Sequence, residues 1–327
     1  MSTARKHILV ADIGGTNARF AIADFSSVGL DGVPDISGFQ TYPCADFQNP
    51  VELIGRYITD HEVSGLDAAC FAVAGPVSKG EATLTNLGWT IEGAEIEERL
   101  GLPKAVIAND FQALARSVTA LDQDKLLKLH ETNSSLHDGP ISVMGPGTGF
   151  GLALVLIGRT TVTVAPTEGG HASFVPHGDT ETSVFQEVHK SMGRVTVETF
   201  MSGIGILRIY RAVCSLRGVQ PRNYEPSTIS QQALENADDA CVETLKVFCS
   251  MLGGVAADIA LTQGAVGGVY LGGGILPKIG DFLARSDFVE RFMDKPPMND
   301  YIAKIPVSLI TDPKAALIGA SLLAIDG

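Results

Sequence analysis

Three glycine clusters stand next to hydroxyl and carboxyl side chains: Asp12-Ile13-Gly14-Gly15-Thr16, Gly145-Pro146-Gly147-Thr148-Gly149-Phe150-Gly151, and Gly272-Gly273-Gly274. Bare backbone amides with Thr16 and Thr148 beside them make concavities that suit phosphate oxygens, and Asp12 supplies a carboxylate near a Mg2+ ion that such a phosphate would carry. Two common phosphate motifs are excluded. The chain has no Gly-Lys dipeptide and hence no G-x-x-x-x-G-K-[ST] loop. Gly14-Gly15 joins two β-like runs, 7–12 and 18–24, rather than a strand and a helix, which argues against a dinucleotide-binding fold. Taken alone, residues 12–16 read equally well as an ordinary hairpin whose glycines supply positive φ.

Asn109-Asp110 ends the apolar run KAVIA. A carboxylate there is partly desolvated yet open toward the crevice where α/β proteins bind substrates, so it suits a base acting on an alcohol. The same pair also fits the N-cap of the helix FQALARSV that follows. Glu168-Gly169-Gly170-His171 sets a carboxylate and an imidazole on a short flexible turn, a pairing that can hold a polyol or serve structure alone. No second His lies at zinc-ligand spacing. Asn86 and the single Trp, Trp89, fall in TNLGW and could line a sugar cleft; packing is the better reading for Trp89.

The elements that must position these residues alternate. Strand-like runs at 7–12, 18–24, 68–74, 104–108, 141–144, 152–157, 160–165, 266–271 and 306–310 are interleaved with helical stretches at 50–61, 91–100, 193–202, 203–216, 228–236, 239–262, 275–284 and 313–325. That pattern is α/β. The 327 residues suffice for two domains, which we expect at 1–110 plus 313–327 (small) and 111–312 (large). No Pro/Ser-rich linker separates them. The strand-turn-strand around DIGGT is echoed by the one around GPGTG, which suggests a duplication.

Lys plus Arg number 24 against 37 for Asp plus Glu, a net charge of −13. Such a field repels nucleic acid and anionic membranes. The five cysteines are odd in number and share no C-x-x-C spacing, as expected of reduced thiols. Asp12 breaks the first apolar run too early for a signal-peptide core, and later apolar stretches are interrupted short of a membrane span. A cytoplasmic protein is expected.

In order, DIGGTNAR (12–19), AGP (74–76), TNLGW (85–89), ANDFQA (108–113), GPGTGFG (145–151), EGGH (168–171), SG (202–203) and YLGGGILP (270–277) resemble the bacterial ATP-dependent glucokinases of the proteobacterial type. The resemblance spans the whole chain. It implies an actin-like (ribonuclease H-like), hexokinase-type two-domain fold with a sugar cleft between domains, and transfer of the γ-phosphoryl of ATP to the 6-hydroxyl of glucose. It further implies Asp110 as catalytic base, Asn109, Glu168 and His171 on the sugar, where we also expect Asn86, and Asp12, Ile13, Gly14, Gly15 and Thr16 as the first phosphate loop. Gly147 and Thr148 correspond to the second loop, Gly272, Gly273 and Gly274 to the turn beside adenosine, and Asp12 to a contact with Mg2+, directly or through water. A homodimer is implied as well.

The family also has a sugar-binding Glu in the helix before S-G. Counting back from Gly193 reaches Gln186, with Glu187 beside it; a helix turns by about 100° per residue, so only one of them can face the sugar, and Glu187 is preferred. Pro146 removes one backbone donor from the second loop. The rivals are a kinase for another hexose or an N-acetylated amino sugar, a sugar-responsive regulator, and an actin- or chaperone-like ATPase. A cysteine-rich zinc motif, usual in the related ROK group, is absent, and six residues before His7 leave no room for a helix-turn-helix.

Overall fold

The computed structural model describes residues 7–26, 32–135 and 139–326. Residues 1–6, which enter the signal-peptide and helix-turn-helix readings, and Gly327, which ends the expected small domain, lie outside the described residues. Two compact units are present. The first comprises the described residues up to Gln123, Thr160–Val164 and those from Asp312 on; the second comprises Asp124–Arg159 and Ala165–Thr311.

Eight strands are described in the first unit: β1 (His7–Ile13), β2 (Asn17–Asp24), β3 (Asp35–Pro43), β4 (Ala68–Val73), β5 (Val77–Ser78), β6 (Glu81–Leu84), β7 (Trp89–Glu92) and β8 (Ala105–Asn109). β5, β6 and β7 make a small antiparallel ribbon. The rest form a sheet of order β3-β2-β1-β4-β8, with β1, β4 and β8 parallel. Period-2 alternation serves both of its faces. Leu9, Ala11 and Ile13 point into a cluster with Leu53, Ile54 and Tyr57 of the helix Pro50–Asp60, whereas Ile8 and Val10 point into one with Leu317, Ala320 and Ala324 of the C-terminal helix Ala315–Asp326. That helix also packs along the helix Asp110–Ser117. Gly319 permits the approach, since a Cβ there would lie 1.7 Å from the Ala113 carbonyl oxygen. This packing carries the first unit to Gln123, past the expected boundary at 110, which falls at a strand-to-helix junction.

The second unit holds β9 (Leu126–His130), β10 (Ile141–Pro146), β11 (Phe150–Ile157), β12 (Val162–Thr167, counted here from Ala165), β13 (Gly268–Leu271) and β14 (Val307–Ile310), in the order β12-β11-β10-β13-β14-β9. β10 runs antiparallel to β11 and parallel to β13, which is parallel to β14. Both sheets therefore place a glycine hairpin beside two parallel strands in the same order, the actin-like arrangement expected of duplicated halves. The helix Asp239–Gln263 is largely buried in this unit's core. By length and composition it would cross a membrane, contrary to the expectation that no stretch is long enough, but its apolar residues serve the core.

Some expectations need correction. β3 is absent from the sequence reading because it is mostly exposed and lacks apolar alternation. Residues 91–100 divide into β7 and the helix Gly93–Leu100, and the chain 193–202 is helical only at Val197–Phe200. The preceding helix, Gly178–Met192, ends at Gly193, whose φ of +70° stops it. All five cysteines are buried and unpaired.

Candidate active site

β1 ends in Asp12 and Ile13, and β2 begins at Asn17. Neither Gly14 nor Gly15 of the connecting turn has a positive φ, contrary to the hairpin expectation. What requires glycine at position 15 is space, because a Cβ would lie 2.1 Å from Asn86 Nδ2. Asn86, on the β6–β7 turn, donates from Nδ2 to the Gly15 carbonyl at 2.8 Å. The Cys44 thiol donates to the Gly14 carbonyl at 3.4 Å, and the Cys44 amide donates to the Thr16 carbonyl at 2.8 Å. The amides of Gly15 and Thr16 have no hydrogen-bond partner among the described residues, so the turn presents donors and keeps its acceptors occupied. The Ile13 side chain is fully buried in the core and offers only backbone here.

Register brings Asp12 and Asn109 to the same end of the parallel strands: Ile13 pairs with Val73, and Val73 with Asn109. Asn109 caps the helix Asp110–Ser117. Its Oδ1 accepts from the amides of Phe111 at 3.0 Å and Gln112 at 3.1 Å, and its Nδ2 donates to the Gly75 carbonyl at 2.9 Å. Capping thus falls to Asn109, which leaves Asp110 at the first helical position with Oδ1 accepting from the Phe111 amide at 2.8 Å. Burial, and after it the negative charge of Asp12, pushes the Asp110 carboxyl up to about 6, against the opposing pull of the Phe111 and Asp110 amides and the Asn109 side chain. Asp12 is itself raised by burial, with Arg19 opposing. Arg19 Nη1 donates to its Oδ2 at 3.4 Å, while Oδ1 has no hydrogen-bond partner among the described residues. Trp89, 6% exposed, packs in the core rather than in the site.

In the second unit the β10–β11 turn is closed by the Gly147 amide donating to the Gly149 carbonyl at 2.7 Å, and it is held by the Gly203 amide donating to the Gly147 carbonyl at 2.9 Å. The amides of Thr148 and Gly149 are left without hydrogen-bond partners among the described residues. Pro146 is the last paired residue of β10, opposite Phe150, so its missing N–H falls on the strand and not on the turn. Gly272 donates to the Met144 carbonyl at 2.9 Å, and Gly273, at φ +87°, lies against Pro146. The two glycine-rich turns of this unit are therefore adjacent.

Glu168 and His171 are both exposed, with His171 Nε2 3.8 Å from Glu168 Oε2. Gly170 between them is pressed on the backbone of Phe150, whose carbonyl oxygen would lie 2.7 Å from a Cβ. The other side of that backbone belongs to Glu198, whose Oε2 accepts from the Phe150 amide at 2.9 Å. Glu198 lies in Val197–Phe200, the short helix that directly precedes Ser202-Gly203. Gln186 and Glu187 sit one helix earlier. Gln186 is exposed, and the Glu187 carboxylate is taken by Lys190 and by Ser215 Oγ at 3.2 Å, which lowers its pKa with the Lys190 hydrogen bond as the main cause. Both carboxylate oxygens of Glu187 are thus engaged within the protein. The count from Gly193 leads to this helix, whereas a count back from Ser202-Gly203, or the Thr196 capping box, leads to Glu198.

A family model described as Glucokinase matches residues 9–326. The Glucokinase of Saccharophagus degradans is 38% identical over 316 residues, covering 96% of each chain. That of Hahella chejuensis is 39% identical over 324 residues, covering 98% of this chain and 97% of the other. A crystal structure of glucokinase from an Antarctic psychrotroph superposes with a TM-score of 0.89 at 36% identity, covering 98% of this chain and 99% of that one. With the family's motifs now placed on two matching glycine hairpins and a strand-end acid, the chain belongs to the glucokinase family.

Proposed function

We propose that this enzyme transfers the γ-phosphoryl group of ATP to the 6-hydroxyl of D-glucose, with Asp110 as the general base. The observation that carries the reading is the setting of Asp110: one carboxylate oxygen is fixed by the helix amide, and burial beside Asp12 raises the pKa to about 6. A base so poised is ionised at neutral pH yet accepts a proton more readily than an ordinary carboxylate. The alcohol's proton moves to the second Asp110 oxygen as the hydroxyl oxygen forms its bond to phosphorus and ADP departs. Glu168, His171 and Glu198 are proposed for the sugar hydroxyls. The amides of Gly15, Thr16, Thr148 and Gly149 are proposed for the phosphates, and Gly272–Gly274 for the nucleoside side. Phosphoryl transfer needs little covalent work from protein beyond alignment and charge neutralisation, which such donors provide.

Mg2+ belongs to the same proposal. Among the described residues no group of three or more His, Cys, Asp or Glu could hold a metal. Mg2+ asks for less, since it keeps waters and binds one or two carboxylates together with substrate phosphates. The unengaged Oδ1 of Asp12 fits that need, directly or through water. When bound, the ion would neutralise charge on the phosphates. A homodimer and a cytoplasmic location are part of the reading and rest on family likeness alone.

Asp110→Asn tests the reading. Glucose binding by calorimetry stays near wild type while turnover falls roughly 10²- to 10⁴-fold, the usual contribution of a positioned base. Wild-type turnover in that variant removes Asp110 from the chemistry. ADP release that is the same with and without glucose would point instead to an ATPase, and a sugar panel would expose a preference for another hexose.

A further inference from the structure

The first phosphate turn is set by two residues that the reaction itself does not use. In a trans peptide the C=O and N–H point in opposite directions, so fixing one fixes the other. The Gly14–Gly15 peptide has its carbonyl on the Cys44 thiol at 3.4 Å, and the Gly15–Thr16 peptide has its carbonyl on Asn86 Nδ2 at 2.8 Å. The N–H groups of Gly15 and Thr16 are thereby turned the other way, where neither meets a partner among the described residues. A glycine pair is a weak holder of such an orientation. With no Cβ, either peptide can rotate at low cost and present its carbonyl dipole where an amide stood. For an anionic ligand that exchange replaces attraction with repulsion. A thiol and an amide NH2 are both donors, as an acceptor-facing clamp requires.

We propose that Asn86 and Cys44 are positioning residues for the nucleotide, holding the Gly14-Gly15-Thr16 peptides so that their amides face the phosphates, and that Asn86 serves the phosphate side rather than the sugar. The inference rests on the proposed phosphoryl-transfer reaction. The space at Gly15 supports it: Asn86 lies so close that a Cβ would strike its amide, which makes residue 15 and residue 86 one fitted pair across 71 positions of sequence. Cys44 acts twice, since its backbone amide also holds the Thr16 carbonyl at 2.8 Å. The thiol is the weaker clamp, being a poor donor.

The test compares Asn86→Ala, Asn86→Asp, Cys44→Ala and Cys44→Ser with the wild type in KM for ATP, KM for glucose, calorimetric Kd for ADP with Mg2+, and Tm. Asn86→Ala raises KM for ATP and Kd for ADP about five- to tenfold, the loss of one hydrogen bond with little else, while KM for glucose stays within about twofold. Asn86→Asp, of equal size but without the donor, is at least as impaired. Cys44→Ala gives a rise of about two- to threefold, which Cys44→Ser restores because a hydroxyl donates in the thiol's place. A rise in KM for glucose with KM for ATP unchanged makes Asn86 a sugar contact and overturns the inference, as do equal rises in both or no change in either. The underlying reaction fails separately, if wild-type enzyme releases no ADP in response to glucose; the ADP-binding arm then still decides whether the clamp exists.

Discussion

The two glycine hairpins occupy the same place in two sheets of matching strand order, yet they are held by different means. The first turn is clamped by side chains, Cys44 and Asn86, and has a carboxylate of its own in Asp12. The second is clamped by a backbone amide, that of Gly203, and its acid, Glu198, comes from a neighbouring helix and is engaged with the Phe150 amide. Two frameworks of matching strand order thus each leave two turn amides without partners among the described residues, and only the first has a carboxylate, Asp12, acting on Asp110, the base proposed above. The two hairpins differ in their supports and charges more than in their strand arrangement.

The sharpest way to break the comparison is to add a methyl group to each hairpin. At Gly145 a Cβ would lie 2.0 Å from the Gly272 carbonyl oxygen, and backbone in a sheet cannot step aside. Gly145→Ala is expected to cost about 3 kcal/mol or more of stability as overpacking strain, read as a large fall in the urea midpoint. At Gly15 the obstacle is the Asn86 side chain, which can rotate. Gly15→Ala therefore folds with a loss below about 1 kcal/mol but weakens ATP binding. Equal stability losses at the two sites would erase the distinction.

Next comes the charge present in only one copy. The raised pKa of Asp110 means that its ionised form is disfavoured in the folded protein, so the native state binds more protons than the unfolded chain between the ordinary value of 3.8 and about 6. The resulting destabilisation is absent below pH 3.8, grows through that window and is complete above it. In ligand-free protein without Mg2+, Asp110→Asn should raise Tm by a few degrees at pH 8 and by progressively less toward pH 4, even as it lowers turnover. Asp12→Asn should move the window to lower pH without returning it to 3.8, because burial is the larger cause and remains. A Tm difference that does not vary with pH would show that Asp110 carries no such penalty.

These contrasts also mark what the sequence could reveal. Strand-end acids and glycine turns were legible because each follows an apolar run with a tight connection, and the order of motifs carried the fold. The reason for Gly15 was not legible: the space it gives Asn86 is a contact across 71 residues, whereas a positive φ was the local guess. The division of labour at Asn109-Asp110, with Asn109 capping and Asp110 carrying the raised pKa, depends on side-chain direction that spacing does not encode. Glu198 was missed because Gly193 reads as the start of a helix, although its positive φ ends one. A smaller effect tests the sugar role proposed for Glu198: Glu198→Gln should raise KM for glucose about tenfold, on the scale of a charged hydrogen bond, while its amide oxygen still holds the Phe150 amide and Tm stays near wild type. Glu187→Gln should leave KM for glucose unchanged, and the opposite outcome would restore the earlier helix.

The smallest expected change in the free protein is the most direct probe of what the second turn is for. A Cβ on Gly147 would meet nothing within 4 Å, and its φ is not positive, so neither space nor backbone conformation in the protein alone requires glycine there. At Gly145 and Gly15 the protein itself fills the missing Cβ's place; at Gly147 that place is open. Gly147→Ala should therefore leave stability unchanged or raise it by about 0.4–1 kcal/mol, since alanine restricts the unfolded chain without strain in the native one. If phosphate approaches this backbone, the same methyl group raises KM for ATP and Kd for ADP severalfold while KM for glucose holds. Unchanged nucleotide affinity would mean that the phosphates keep clear of residue 147, and the likeness of the two hairpins would then be one of fold and not of use.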